Sequence, residues 1–114
     1  GILKQFHMED IAELPRDGSI TLLDVRTEWE YRRGHIESFV NIPVDELRER
    51  LDEIEKEKPV YVICQSGLRS YIACRILNGY GIEAYNFSGG FRFYEAAAQD
   101  RSLAESSAAC GMDR

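Results

Sequence analysis

Two stretches of the chain are apolar without alternation: Ile20-Thr21-Leu22-Leu23-Asp24-Val25 and Pro59-Val60-Tyr61-Val62-Ile63. A half-exposed antiparallel strand alternates polar with apolar residues, whereas a strand covered on both faces reads as a continuous run, as in a parallel sheet. β-branched residues within the runs and Pro or Gly beside them favour strand over a buried helical turn. A weaker strand is expected over Glu83–Phe87, with short extended pieces near Leu3–Phe6 and Phe39–Ile42.

Helical signatures lie between these runs. Met8–Leu14 is short and carries Glu9 and Asp10 in its first turn, where the helix dipole favours anions. Thr27-Glu28-Trp29-Glu30 reads as a capping box opening a brief helix that stops at Gly34. Asp45 is placed as the cap of a helix over Asp45–Lys58. There Val44, Leu47, Leu51 and Ile54 make one apolar stripe, and the acidic and basic residues make a solvated face. Leu68–Asn78 forms a further helix on an Ile72, Ala73, Ile76 and Leu77 stripe, with Gly79 as its stop. A last helix is expected over Phe91–Gln99. Strands alternating with helices predict an α/β fold with a mostly parallel sheet, whose sites sit beyond the carboxyl ends of the strands. Asp24 and Cys64 occupy two such ends.

Composition narrows the function classes. The 114 residues suit one domain able to bury a core without staples, and 44% hydrophobic with 30% charged residues reads as soluble and globular. A net charge of -6 argues against nucleic acid or a membrane surface as partner. No apolar run approaches a membrane span, and the start Gly1-Ile2-Leu3-Lys4 shows no signal-peptide pattern, so the expected compartment is the cytoplasm. A first residue other than Met suggests a fragment or a processed product.

Three cysteines, Cys64, Cys74 and Cys110, make no C-x-x-C pair, and only His7 and His35 could join them. Neither a disulfide framework nor a structural zinc site is expected, and no cofactor is called for. Cys64 differs from the others in its sequence context. In Cys64-Gln65-Ser66-Gly67-Leu68-Arg69-Ser70 a thiol ends a buried strand and a helix begins around Leu68–Ser70. A tight loop feeding a helix N-terminus points successive N–H groups into its own centre. Gly67 permits the positive φ such a cradle needs. This setting favours the thiolate, from an ordinary pKa of about 8.5 toward 7 or below. Arg69 adds a planar fork that can grip an anion. A lone strand-end cysteine is more often a small buried hydrophobe, but the Arg spacing with Gly67 inside favours a nucleophile.

The chain resembles a single-domain rhodanese, a sulfurtransferase module. Leu23-Asp24-Val25-Arg26 with Trp29-Glu30-Tyr31, then Gly34-His35-Ile36 and Asn41-Ile42-Pro43, resemble the family's N-terminal signature. Cys64 to Ser70 resembles its active-site loop, and Phe87-Ser88-Gly89-Gly90-Phe91 its closing turn. The likeness covers roughly residues 3 to 98 and is greatest to the rhodanese modules fused to flavin-dependent coenzyme A-disulfide reductases. It implies a small, mostly parallel sheet of about five strands with helices on both faces. It implies a domain over residues 1–99, with 100–114 a C-terminal tail or a boundary.

The resemblance also implies ping-pong sulfur transfer through a Cys64 persulfide, from thiosulfate, persulfide or polysulfide donors to a thiophilic acceptor. Gln65, Ser66, Gly67, Leu68, Arg69 and Ser70 would bind the transferred group, supported by Asp24 and Arg26, either as organising or substrate-facing charges or as a structural ion pair. The expected substrate is a small sulfur-containing anion or thiol, coenzyme A persulfide among the candidates, and a flavin disulfide reductase, fused or separate, is a candidate partner. His35 reads as structural, Cys74 as a buried or half-buried structural thiol, and Cys110 as a tail thiol that is inert, forms disulfides on storage or resolves the Cys64 persulfide. Two departures stand out: Glu37-Ser38-Phe39 where the family carries a Pro-Gly-Ala-like turn, and Tyr94 where Trp is common.

Two alternatives remain at this level. Cys-dependent phosphatases and arsenate reductases use a similar loop, but with five residues between Cys and Arg. Here there are four, a smaller cradle better suited to one sulfur, and Ile63 rather than His precedes Cys64. A non-catalytic regulatory module is the other, disfavoured by the presence of Cys64.

Overall fold

The structure is a computed structural model and describes residues 4–87, with the side chains of Met8 and Glu9 excluded. Five strands form one wholly parallel sheet: β1 (Lys4–Phe6), β2 (Thr21–Asp24), β3 (Val40–Asn41), β4 (Val60–Ile63) and β5 (Ala84–Phe87), in the order β1-β5-β4-β2-β3. This is the expected α/β architecture. The two long apolar runs become the central neighbours β4 and β2, with Asp24 level with Ile63. The edge strands are short, which limits exposed pairing groups.

Burial on both faces explains the unbroken apolar runs. Leu23, Val25, Val60, Val62 and Cys64 point into one core cluster with Ala73, Cys74 and Leu77. Leu22 and Ile63, the intervening residues, enter a second cluster with Phe6, Ile36, Phe39 and Phe87. Neighbouring residues on one strand thus serve opposite layers.

The helices are α1 (Met8–Ile11), α2 (Glu28–Arg33) and α3 (Leu68–Gly79). Thr27 caps α2 as the sequence predicts: its hydroxyl accepts from the Glu30 N–H, and Gly34 follows the helix. α1 ends earlier than Leu14, although single-turn hydrogen bonds continue to it.

The expected helix over Asp45–Lys58 is instead a 3₁₀ segment over Val44–Glu53, with Pro43 rather than Asp45 at its cap position. In 3₁₀ winding, residues three apart eclipse. Val44 and Leu47 therefore face the core together, but the next residue in that row is Arg50. The chain breaks there, at φ -117° and ψ 21°, and Arg50 turns out to Glu46 and Glu53. Ile54 then returns to the core, with Leu51 packed against it, so the predicted stripe is kept by a different geometry. α3 ends at Gly79, as expected, but the left-handed residue that closes it is Gly81. Gly81 has φ +79°, its N–H donates to the Asn78 carbonyl, and Ile82 N–H donates to that of Leu77, a Schellman close. Ile72 faces outward, against expectation, and Cys74 is buried, as expected. Among the described residues, no helix is long and apolar enough to cross a membrane. The expected helix over Phe91–Gln99, Tyr94, the closing turn from Ser88 on, and Cys110 lie outside the described residues.

Candidate functional site

Cys64 follows β4 directly, at the point where the connections leave the sheet in opposite directions, β3 to one side and β5 to the other. That is where open α/β sheets form a crevice. Gly67 adopts φ +99° immediately before α3. This left-handed residue turns its N–H back onto the Cys64 sulfur at 3.0 Å. The Cys64 thiol donates to the Ser70 hydroxyl oxygen at 3.3 Å, and that hydroxyl donates to the Gly67 carbonyl at 3.1 Å. Strand end, left-handed glycine and first helical turn thus close around one sulfur. Cys64 and Ser70 are both fully buried, Gln65 and Gly67 half-buried, Ser66 and Leu68 exposed.

Arg69 does not point its fork into open solvent. Both terminal nitrogens donate to Glu30 on α2, at 2.6 and 2.9 Å. Glu30 also accepts from the N–H and the hydroxyl of Thr27, at 3.0 and 3.1 Å. Held by Arg69 first, with Thr27 assisting against partial burial, the Glu30 carboxyl is pushed down to about 2. The sequence marks Glu30 as a capping residue; its partnership with Arg69 joins positions 39 apart and leaves no local trace.

Asp24 and Arg26 form a second pair, wholly inside. Arg26 Nε and Nη2 donate to the Asp24 carboxylate, at 2.8 Å for the shortest contact, and both residues are at most 2% exposed. Arg26 reaches further, to the Gly34 carbonyl at 2.8 Å and to Gln65 Oε1 at 3.3 Å. Asn41 adds a clamp that sequence reasoning missed. Its amide donates to the carbonyls of Asp24 at 3.0 Å and Arg26 at 2.9 Å. The structure therefore brings Asp24 and Arg26 to the Cys64 loop through Gln65 as an ion pair buried away from solvent, so neither charge faces a substrate.

The remaining candidates separate cleanly. Cys74 is buried within the core on α3, and burial, with the Cys64 sulfur nearby, pushes its thiol up to about 12. His35 stacks on Tyr31 with ring centroids 3.7 Å apart, and its Nδ1 meets the Tyr31 carbonyl at 2.9 Å. Beside the loop, a groove of about 460 Å³ runs between α3 and the 3₁₀ segment, floored by Val44, Ile72 and Ile76 and rimmed by Arg48 and Arg69. Among the described residues, no three His, Cys, Asp or Glu side chains gather as a metal site would require.

The profile of the rhodanese-like domain matches residues 7–97. The chain belongs to the rhodanese-like family. This rhodanese-like chain is 44% identical over 72 residues to the uncharacterized protein YqhL of Bacillus subtilis, a match covering 62% of the chain and 57% of YqhL. It is 32% identical over 94 residues to the thiosulfate sulfurtransferase GlpE of Coxiella burnetii, covering 82% of the chain and 88% of GlpE. Among solved structures it is similar to reduced Bacillus anthracis CoADR-RHD, with a TM-score of 0.80 and 36% identity. That match covers 87% of this chain but 18% of the other, so the likeness concerns one module of a much longer protein.

Proposed function

We propose that this rhodanese-like chain is a sulfurtransferase that carries sulfane sulfur as a Cys64 persulfide. The observation that carries the reading is the Cys64 sulfur, closed in by the Gly67 N–H at 3.0 Å and the Ser70 hydroxyl at 3.3 Å. A thiolate there attacks the outer sulfur of a donor such as thiosulfate. The donor's S–S bond breaks and sulfite leaves with the electron pair. The product, a Cys64 persulfide anion, takes hydrogen bonds from the loop: Gly67 N–H, and the Ser70 hydroxyl once its proton turns from the Gly67 carbonyl to sulfur. A thiophilic acceptor then takes the outer sulfur and restores the Cys64 thiolate. Gln65, Ser66, Leu68 and Arg69 border the path, and Asp24 with Arg26 holds the loop from below through Gln65.

Support for the activity comes from relatives bearing the name sulfurtransferase, GlpE among them. The proposed substrates are thiosulfate, persulfides or polysulfides, coenzyme A persulfide included, in the cytoplasm. Likeness to one module of CoADR-RHD supports a reductase, fused or separate, as the partner.

Intact-mass analysis after thiosulfate treatment tests the reading. Wild type is expected to gain one sulfur atom, removed by cyanide, and Cys64→Ser to gain none. Sulfur retained by Cys64→Ser moves the nucleophile elsewhere, and turnover of an aryl phosphate without sulfur transfer replaces the reading with a phosphatase.

A further inference from the structure

Arg69 is the single charged residue of the Cys64–Ser70 loop. Left free, it would make the loop mouth cationic and favour donors in order of their negative charge. Its fork is instead filled by both oxygens of Glu30. The position of that carboxylate is set from outside the loop, because the Thr27 N–H and hydroxyl hold it at the start of α2. The side chains of Arg69 and Glu30 are 32% and 25% exposed, so the pair sits at the surface beside the loop, where its net charge is visible to an incoming ion. The inner pair, Asp24 with Arg26, neutralises itself. Among the described residues, both guanidiniums that touch the loop are thus matched by carboxylates, and the Gly67 N–H faces the sulfur.

Resting on the sulfurtransferase reading, we propose that Glu30 is the specificity-determining residue of this site: by neutralising Arg69 it withdraws net charge from the loop mouth. The site thereby recognises sulfane sulfur with little regard to the donor's total charge and accepts weakly charged organic donors alongside dianionic thiosulfate.

Two donors that differ by one charge test this. Thiosulfate is a dianion and methanethiosulfonate a monoanion. In each, the Cys64 thiolate takes the outer sulfur and the broken S–S bond leaves its electron pair on sulfite or on methanesulfinate. Glu30→Gln removes the charge yet keeps the capping box, since Gln serves at that position as Glu does. Coulomb attraction scales with the product of charges. In Glu30→Gln, KM for thiosulfate is therefore expected to fall about tenfold and KM for methanethiosulfonate about threefold, with kcat nearly constant. Raising the salt to about 0.5 M is expected to erase most of both gains. Glu30→Asp keeps the charge, so the ratio of the two KM values is expected to stay at the wild-type value even if both move. Equal shifts for the two donors in Glu30→Gln, no shift, or a changed ratio in Glu30→Asp would overturn the assignment to Glu30. No transfer from either donor to cyanide by the wild type would overturn the sulfurtransferase reading itself.

Discussion

Asp24–Arg26 and Glu30–Arg69 both set a guanidinium against a carboxylate beside the same loop, yet they live in different dielectrics. The inner pair is excluded from water, and its arginine spends its remaining donors on the Gly34 carbonyl and on Gln65. The outer pair is half in solvent and links two helices across the loop mouth. A buried pair gains little over an apolar replacement, but losing one partner strands a charge. A rim pair contributes little stability, while its net charge remains visible to an incoming ion. The inner pair is therefore expected to set the stability of the fold beneath the loop, and the outer pair, on the proposal above, what the loop attracts.

The largest test strikes the inner pair. Asp24→Ala leaves Arg26 charged and buried, and a loss of about 3–5 kcal/mol is expected in urea unfolding. A loss below about 1 kcal/mol would make the two pairs equivalent and end the contrast. Arg69→Ala is expected to cost at most about 1 kcal/mol of stability. It exposes an uncompensated Glu30, so KM for thiosulfate is expected to rise about tenfold in the cyanide assay. Arg69→Lys is expected to recover part of that loss, because it restores the charge without the fork. An Arg69→Ala protein that loses stability as Asp24→Ala does, with thiosulfate KM unmoved, would reverse the assignment.

Acid titration sharpens the same comparison at smaller scale. The Glu30 carboxyl lies lower in the folded state, about 2 against 4.5. The unfolded chain therefore binds the proton first as pH falls. The stability contributed by the pair is complete above about 4.5 and is lost as pH falls from there through about 2. Between those limits wild type should lose about 1 kcal/mol more than Glu30→Gln in parallel unfolding titrations, after allowing for solvent screening. Superimposable titrations would show that the pair contributes nothing to stability. The smallest effect concerns the segment the inner pair anchors through Gly34 and Asn41. Ser38 there has φ +77°, a left-handed conformation that penalises any side chain. Ser38→Gly is expected to stabilise by about 0.5–1 kcal/mol in the same unfolding assay, and an unchanged midpoint would mean no strain is held there.

Local pattern made much of the fold legible. The runs ending at Asp24 and Cys64 became adjacent central strands, and the Thr27–Glu30 capping box and the positive φ of Gly67 appear where local pattern puts them. The misreadings share a cause. Asp45–Lys58 has a helical apolar period, but Arg50 breaks the 3₁₀ segment that actually packs the stripe. Ile72 lies outside while Cys74 is buried as expected, since periodicity identifies a stripe without saying where the sheet lies beneath it.

The sequence by itself determined the parallel α/β class, the strand ends, and the thiol that begins the loop, because strand burial, capping and glycine conformation are local properties of the chain. Only the tertiary structure decided the partners of the two arginines. Asp24 sits two residues from Arg26, but Glu30 is 39 from Arg69, and the sheet order is what brings α2 against the start of α3. Coulomb energy depends on distance through space, so the charge seen by a donor at Cys64 is a property of the fold.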